Sequence, residues 1–361
     1  MRILFAILLL LHLLIHLLGF AISKEWITGP ESLNISSEQG ILWLIVSTLL
    51  LIIIFLFILR KPAWIILGIP MLITSQVLII LNWNEAATGS IVNFVIFLVV
   101  IFSIFSWNFE NSFKKDKIAA IRENPGKQRL ISRKDIEHLP GIVQKYLHYS
   151  GFVGRPRIEN VQIRFKGEMR EKGKSWFNFR AEQLNTVRKP ARYFFMKAIF
   201  KGIPTKGYHR YDGHTASMNI KPFSLFSIVK IQTEELLVSD MVTYLNDICL
   251  FAPGALIEDH FTWQEMGENT ARVIFTYNTR SVSAVLEIDD SGQLINFFSN
   301  DRYDINKNQK FMFSTPVAEY TNFGDYKLAG YGEAIWHYFE EDFMYGKFYV
   351  KKVKFNISAQ D

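Results

Sequence analysis

Four long runs of apolar residues occupy the first third of the chain, and charged residues fall between the runs rather than within them. The runs are Ile3–Ile22, Ile41–Leu59, Ala63–Leu81 and Ile91–Trp107. Each has about the ~20 residues that a helix needs to cross the hydrocarbon core of a bilayer. Lipid offers the backbone no hydrogen-bonding partners, so such runs must be helices. The pattern therefore predicts four transmembrane helices followed by a large polar domain.

The distribution of lysine and arginine predicts the orientation of these helices. One set of loops carries Arg2, Arg60–Lys61 and a basic stretch that begins at Lys114, whereas the other set carries only Lys24 among four acidic residues. Because Lys and Arg are retained on the cytoplasmic side, both termini are expected in the cytoplasm. The first run is too long for the apolar region of a signal peptide, and no A-x-A cleavage pattern follows it.

Composition adds a basic character to this picture. The 361 residues carry a net charge of +6, and much of the excess lies between Lys114 and Lys134, directly after the fourth run. Cations in such a position fix topology and contact anionic headgroups, so we expect the lipid bilayer, and no nucleic acid, as the partner of this segment. The single cysteine, Cys249, agrees with a cytoplasmic domain, since domains in oxidising spaces more often carry paired cysteines.

From Arg155 onward, apolar and polar residues alternate with a period of two, which indicates β-strands. The predicted strands are Val161–Phe165, Trp176–Ala181, Tyr193–Phe200, Thr205–Tyr211, Thr215–Ile220, Phe226–Gln232, Phe261–Met266, Ala271–Tyr277, Ser281–Ile288, Leu294–Tyr303, Phe311–Tyr320, Tyr326–Leu328, Gly332–Tyr338 and Phe343–Ile357. Thr233–Leu256 instead has apolar residues at helical spacing, with Thr233 as its N-cap. A short helix before Gly151 is expected to begin near Ser132 or at Leu139.

These patterns predict a four-helix membrane bundle followed by a mainly antiparallel β domain with one or two helices. A sheet of about a dozen strands tends to curl into a barrel or half-barrel. A polar segment with a turn at Asn124–Gly126 marks the boundary between the two parts. The predicted domains are a membrane domain over residues 1–107, a basic linker over 108–133 and a cytoplasmic β-rich domain over 134–361.

Three elements of the polar region have a distinctive sequence. They are Leu139–Gly151, with the pattern L-P-x-x-V-Q-x-Y-L-x-x-S-G, Trp176–Gln183, and Met241–Leu256 followed by Trp263. Together with Arg302–Tyr303, Tyr320 and Ala334–His337, they resemble an uncharacterised bacterial family, DUF6544, also called DUF6920. The resemblance covers Leu139 to Asn356, and the opening His12–Phe20 resembles four-span segments fused to such domains in Bacteroidota. It implies a multi-pass protein of a bacterial inner membrane.

The resemblance implies no activity, because the family has none established. Thr243 and Asp247 stand where the family often has an arginine before the tyrosine of the helix and a glutamate near its end. A shared acid–base role of the helix therefore does not carry over to this chain.

Two histidines within the first apolar run, His12 and His16, are four residues apart and face the same way on a helix. Such a pair could ligate a metal or haem, or relay protons. The other runs supply no carboxylate and no third histidine, only the polar residues Ser47, Ser75, Gln76 and Asn93. We therefore expect hydrogen bonds that hold the bundle together, with no metal and no other cofactor.

The densest polar run of the β-rich region is Tyr208–His214. On a strand, His209 and Tyr211 would share a face opposite Tyr208 and Arg210. A His–Asp pair suits general-base catalysis, but no serine or cysteine stands in a nucleophile-elbow context. A polar cluster at a strand end is therefore favoured over a catalytic site.

Aromatic residues make up 15% of the chain and include 31 phenylalanines, many of them on predicted strands. Two interpretations stay open: a bulky core for a large sheet, or an apolar cavity between a curled sheet and the Thr233–Leu256 helix. In the second, buried charged residues would orient the polar end of a ligand while aromatic residues contact its apolar part. The candidate ligand-binding residues are Glu182, Asp247, Arg302, Phe313, Tyr320 and Trp336.

Three functions are compatible with these observations. The first is a membrane-anchored binding module, similar to a lipocalin-like or lipoprotein-carrier-like half-barrel, that holds a lipid or other apolar molecule. The second is an enzyme acting on an amphiphilic substrate, which a cleft uniting His209, Asp247 and Arg302 would favour. The third is a protein-interaction or sensor domain, which a flat and fully packed sheet would favour. We adopt the first as the hypothesis, and a closed, water-filled cavity would favour it.

Overall fold

The computed structural model describes residues 2–29, 35–124 and 129–360 of the chain. The chain forms two compact units, Met1–Phe109 and Glu110–Asp361. The turn predicted at Asn124–Gly126 falls partly outside the described residues, because Pro125 and Gly126 are not among them.

The first unit is helical. It contains α1 (Arg2–Ser23), α2 (Ser37–Ile58), α3 (Ala63–Leu81), the short α4 (Trp83–Ala86) and the first part of α5 (Gly89–Glu123). Within the described residues, α1, α2, α3 and α5 are long and apolar enough to cross a membrane, judged by length and composition. At the start of α2, the Ser36 hydroxyl accepts a hydrogen bond from the Gln39 backbone N–H and so caps the helix.

The two histidines of α1 lie in a buried polar network within this unit. His12 Nε2 lies 3.0 Å from Asn93 Oδ1 and 3.2 Å from the Ser75 hydroxyl, while His16 Nε2 lies 2.9 Å from the same hydroxyl. Ser47 is not a partner, because its hydroxyl donates to the Trp43 carbonyl of its own helix. Hydrogen bonds between α1, α3 and α5 therefore satisfy the imidazole Nε2 atoms.

α5 is longer than the predicted fourth span. A polar linker was expected from Asn108 onward, whereas the helix continues to Glu123. In the second unit, Phe113 of α5 stacks on Phe195 with ring centroids 5.4 Å apart, and Lys117 Nζ lies 3.0 Å from Glu182. The structure thus corrects the linker prediction for this stretch, because the sheet supplies both apolar and charged partners for its polar sequence.

The second unit continues with a 3₁₀ turn (Arg133–Asp135) and α6 (Gly141–Tyr149). Its sequence then forms β1 (Asn160–Met169), β2 (Phe177–Thr186), β3 (Ala191–Phe200), β4 (Ile203–Tyr211), β5 (Ala216–Pro222), β6 (Val229–Ile231), α7 (Glu234–Phe251), a 3₁₀ helix (Pro253–Ile257), β7 (Phe261–Gly267), β8 (Thr270–Tyr277), β9 (Arg280–Ile288), β10 (Leu294–Ser299), β11 (Tyr303–Asp304), β12 (Gln309–Lys310), β13 (Met312–Ser314), β14 (Val317–Phe323), β15 (Tyr326–His337) and β16 (Asp342–Phe355). The leading helix starts later than Ser132 or Leu139, after Pro140, and Ser132 caps the 3₁₀ turn instead.

Fourteen strands of the described chain form one sheet in the order β6-β5-β4-β3-β2-β1-β16-β15-β13-β10-β9-β8-β7, with β14 paired to β15. Every pairing is antiparallel, as alternation and hairpin turns predict. Strands of both arms, β4 and β5 on one side and β9 and β10 on the other, contact α7. The sheet is therefore curled around α7.

α7 forms the centre of the core. Its predicted N-cap is confirmed, since the Thr233 hydroxyl accepts a hydrogen bond from the Leu236 N–H at 3.2 Å. The hydroxyl of Tyr244 donates to the Thr186 carbonyl at 2.9 Å, and the hydroxyl of Tyr146 donates to the carbonyl of Cys249 at 2.8 Å. These bonds fix α7 against β2 and α6, so that its polar residues have defined positions.

Candidate functional site

A cavity of about 140 Å³ lies between α7 and the concave face of the sheet. Much of its wall is apolar and comes from β1, β3, α7, β13, β14 and β16: Phe165, Met169, Phe194, Leu250, Phe251, Phe313, Val317, Phe348 and Val350. Its polar wall consists of Gln183, Arg192, His209, Thr243, Asn246, Asp247, Arg302, Thr315, Tyr331, Glu333 and Tyr345. An apolar pocket with a few convergent polar groups is the usual form of a small-molecule site.

Asp247 forms a buried ion pair at one side of this cavity. Its Oδ2 accepts hydrogen bonds from Arg192 Nε at 2.7 Å and from Gln183 Nε2 at 2.8 Å, with Asn185 Nδ2 at 3.3 Å. Burial raises the pKa of the Asp247 carboxyl, while the Arg192 guanidinium and the two amides oppose that rise. With three donors, the Oδ2 atom of this carboxylate is already satisfied within the protein.

Arg302 differs from Arg192 in having no counter-ion among the described residues. Its guanidinium carbon lies 4.0 Å from the centroid of the Phe313 ring and 4.9 Å from that of Trp336. One guanidinium nitrogen donates to the Tyr345 hydroxyl at 3.0 Å. Among the described residues, Arg302 Nε has no hydrogen-bond partner, and no carboxylate forms an ion pair with this side chain. The result is a cation held between aromatic rings at the cavity wall.

Asn246 also presents an unsatisfied polar atom. The side chain is 8% exposed and its Nδ2 donates to the Thr315 hydroxyl at 2.8 Å. Its Oδ1 is buried without a hydrogen-bond partner in the described part of the chain. Buried polar groups are normally satisfied, so an unpaired one at a cavity wall calls for a ligand or a water molecule.

His209 lies at the same cavity, next to a buried carboxylate of α7. Its Nε2 is 2.9 Å from Asp240 Oδ2, although the two atoms are not aligned as a hydrogen bond. On the opposite face of β4, the hydroxyl of Tyr208 donates to Asp116 of α5 at 2.6 Å. The polar run Tyr208–His214 is therefore divided between two faces of the sheet, as strand alternation predicts.

Of the six candidate ligand-binding residues, Asp247, Arg302 and Phe313 line the cavity, and Trp336 lies against Arg302. Glu182 does not reach it, because residues 182 and 183 face opposite sides of β2. Glu182 instead accepts from Lys117 of α5 at 3.0 Å and from Gln162 at 2.8 Å.

Tyr320 is also separate from the cavity. It lies on β14, where its hydroxyl donates to the Leu294 carbonyl at 2.9 Å and its ring contacts Tyr149 with centroids 5.4 Å apart. Tyr320 thereby links β14 to β10 and α6, and it does not line the cavity.

Sequence reasoning missed Arg192, Asn185 and Asn246. A signal for the first two was present: Gln183 and Asn185 are polar residues at alternate positions of a strand, and Arg192 lies opposite Asn185 in the register. Polar residues on the inward face of a strand are unusual, so their alternation could have marked a polar site. Asn246 could have been found from its place next to Asp247.

The family model described as "Family of unknown function (DUF6544)" matches residues 129–348, more than half of the chain. The chain belongs to the DUF6544 family. Arg192, His209, Asp247 and Arg302 all fall within the matched region, so the cavity is a feature of the DUF6544 part of the chain.

The other comparisons with known proteins give no function for this chain. No curated protein matches the sequence. Among solved structures, a crystal structure of a LolA superfamily protein from Nitrosomonas europaea is similar with a TM-score of 0.35 and 10% sequence identity. The alignment covers 59% of this chain and 93% of that chain.

Proposed function

We propose that the DUF6544 domain is a membrane-anchored binding module for an anionic amphiphile. One observation carries this proposal: Arg302, held over the rings of Phe313 and Trp336, faces an apolar cavity without a counter-ion among the described residues. A guanidinium matches the geometry of a carboxylate or phosphate group. The apolar wall would take the hydrocarbon part of the same molecule.

The size of the cavity limits the apolar part of the ligand. An apolar cavity of about 150 Å³ accepts a molecule the size of benzene, whereas sites for drug-sized ligands have about 300–1,000 Å³. With about 140 Å³, this cavity takes a ring or a short acyl segment in the described conformation. Of a longer acyl chain, the cavity would take the carbons next to the head group, and the rest of the chain would extend beyond it.

Matched ligands test the proposed head-group selectivity. The full chain in nanodiscs is heated with decanoate, decanol or decylamine, which share one chain and differ in charge. A ligand that binds only the folded state at roughly 100 times its Kd adds about 2.7 kcal/mol to the free energy of unfolding. For a domain of this size, decanoate should raise Tm by about 5–10 °C, and decylamine should have no effect.

Substitutions then assign the effect to the cavity. Arg302→Met keeps much of the side-chain bulk and removes the charge, so the preference for decanoate over decanol should disappear. Phe313→Ala should weaken the response to both ligands, while the exposed control Lys352→Ala should leave both unchanged. An equal response of all three ligands, or a decanoate preference that survives Arg302→Met, would contradict the proposal.

His209, Asp247 and Arg302 line one cavity, which favours a second candidate function, an enzyme acting on an amphiphilic substrate. Asp240 lies beside the His209 imidazole. A buried carboxylate beside an imidazole can orient it as a general base for attack by water. Chromogenic esters of medium-chain acids would test this function. Turnover that is lost in His209→Gln supports it, whereas turnover equal to that of His209→Gln excludes it for esters.

We also propose that α1, α2, α3 and the apolar part of α5 span a bacterial inner membrane, with both termini in the cytoplasm. The position of Arg60–Lys61 and of the basic stretch from Lys114 supports this orientation. A ligand site in the second unit would then be available to molecules at the cytoplasmic leaflet.

A further inference from the structure

One end of the curled sheet carries a cluster of exposed apolar side chains. We call the five residues Ile199, Ile203, Phe223, Phe226 and Ile228 the apolar rim. Ile199 is 65% exposed and Phe226 is 61% exposed, and the other three are exposed as well. Single exposed apolar residues are common, but a contiguous group of them marks an interaction surface.

Strand register brings these residues together. The β3–β4 hairpin turns between Phe200 and Ile203, which are paired across it. Pro222, at the end of β5, pairs with Thr205 near the start of β4, and the Phe223 N–H donates to the Pro204 carbonyl at 2.7 Å. The tips of the β3–β4 and β5–β6 connections are therefore side by side at one end of the sheet.

The chain enters the second unit at this same end. Glu110, the first residue of the unit, lies 2.8 Å from Lys197 Nζ on β3 and 2.5 Å from Lys206 Nζ on β4. At the far end of α5, Asn124 Oδ1 accepts from the Lys189 N–H in the turn between β2 and β3, at the opposite end of the sheet. Within the second unit, the apolar rim is therefore at the end of the sheet where Glu110 lies.

The strands that carry the apolar rim have lysines and no carboxylate side chains. The stretches 193–211 and 216–231 contain no Asp or Glu, and they carry the lysines Lys197, Lys201, Lys206, Lys221 and Lys230. Lys201 and Lys230 are exposed, while Glu110 contacts Lys197 and Lys206. Apolar side chains flanked by lysines are complementary to an anionic membrane surface, which offers hydrocarbon below a layer of negative headgroups.

We propose that the apolar rim inserts into the anionic bilayer that the apolar helices of the chain cross, so that the β domain docks on the membrane by a second contact. Phe226 and the residues beside it would enter the headgroup–acyl boundary, and Lys201 and Lys230 would contact the headgroups. This docking is independent of ligand binding in the cavity, because none of the five rim residues lines the cavity.

Depth-dependent quenching tests the docking in the full chain. Phe226→Cys is labelled with an NBD fluorophore in nanodiscs of phosphatidylcholine and phosphatidylglycerol that contain spin-labelled lipid. The native Cys249 is fully buried, so the unsubstituted protein is the blank for labelling. The matched control is Met266→Cys, because Met266 is also apolar and 52% exposed but lies in the β7–β8 hairpin.

The expected result is a blue-shifted NBD emission at position 226, with quenching several-fold stronger than at position 266. Equal quenching at the two positions overturns the docking. Replacing phosphatidylglycerol by phosphatidylcholine, or introducing Lys201→Glu with Lys230→Glu, should reduce the quenching at position 226. Quenching that is unchanged by both treatments overturns the role assigned to the anionic lipid.

Discussion

At the scale of the residue, the two arginines of the cavity differ in the groups that surround them. Arg192 has a carboxylate and an amide within hydrogen-bonding distance, whereas Arg302 has a tyrosine hydroxyl and aromatic faces. Removing one partner of a buried ion pair destabilises the fold, whereas a cation without a counter-ion is stabilised when an anion binds beside it. Substitution of the two residues should therefore have different consequences.

Arg192→Met should destabilise the folded state by about 3–5 kcal/mol at about pH 7, because it leaves the buried Asp247 carboxylate without its cation. Burial already raises the pKa of Asp247, and loss of Arg192 removes an effect that opposes this rise. A carboxyl with a raised pKa binds more protons in the folded state, so stability falls as pH increases through that pKa.

The loss in Arg192→Met should therefore be smaller at about pH 5 than at about pH 7. Urea unfolding of the two proteins at both pH values measures this difference. Asp247→Asn in the same chain should recover part of the stability at the higher pH. An equal loss of stability at both pH values would show that Arg192 does not help to keep the Asp247 carboxyl ionised.

His16→Leu should leave the protein folded and its metal content unchanged. Within the described residues, no group of three or more His, Cys, Asp or Glu could hold a metal ion, and Ser75 and Asn93 remain as partners for His12. Elemental analysis of purified protein, with and without the substitution, measures the content. Stoichiometric metal that is lost in His16→Leu would contradict this account of the network.

At the scale of the element, α5 is one continuous helix, apolar in its first part and polar in its last part. The last part belongs to the second unit. Its contacts within that unit include the stack of Phe113 on Phe195 and the ion pair of Lys117 with Glu182. Phe113 is 5% exposed, and full burial of a phenylalanine contributes about 1.5–3 kcal/mol. The end of α5 is thus part of the fold of the β domain.

A shortened chain that comprises 110–361 should therefore be more stable than one that comprises 133–361. The expected difference is at least the contribution of Phe113, about 1.5–3 kcal/mol, and circular dichroism melting of the two chains measures it. Phe113→Ala in the longer chain is the control and should account for much of the difference. Equal melting temperatures would show that α5 does not stabilise the sheet.

The elements that the sequence predicted well have local signals. α7 has a capping threonine and helical spacing, and the long strands alternate over most of their length. The misassigned elements depend on distant partners. The sequence predicts two strands, Tyr326–Leu328 and Gly332–Tyr338, where the structure has the single strand β15. A Cβ at Gly330, between them, would lie 2.7 Å from the Glu319 carbonyl oxygen. Glycine here permits close approach of β14 rather than a turn.

The same distinction applies to the candidate site. Four candidate residues are charged or aromatic and lie on elements with a clear sequence pattern: Asp247, Arg302, Phe313 and Trp336. The structure places them at or beside one cavity. Glu182 was predicted there although its face of β2 is covered by α5. No local pattern shows which face of a strand meets a helix more than fifty residues away along the chain, since that depends on the curl of the whole sheet.

At the scale of the whole molecule, an apolar helical unit is followed by a curled sheet with a cavity. The proposed orientation in a membrane rests on Arg60–Lys61 and on the stretch from Lys114. A reporter that is active only in the cytoplasm, fused after Asp361, should therefore be active. Activity of a periplasmic reporter at the same position would contradict this orientation. A fusion in the loop at Lys24 is the matched control, and there the periplasmic reporter should be the active one.

The measurement that tests the central claim most directly is native mass spectrometry of the purified full chain. If the cavity binds an anionic amphiphile, the wild-type protein and Lys352→Ala should carry a small adduct that collisional activation releases as an anion, and Arg302→Met should lack it. Protein without an adduct even after incubation with decanoate, or the same adduct on Arg302→Met, would contradict the account.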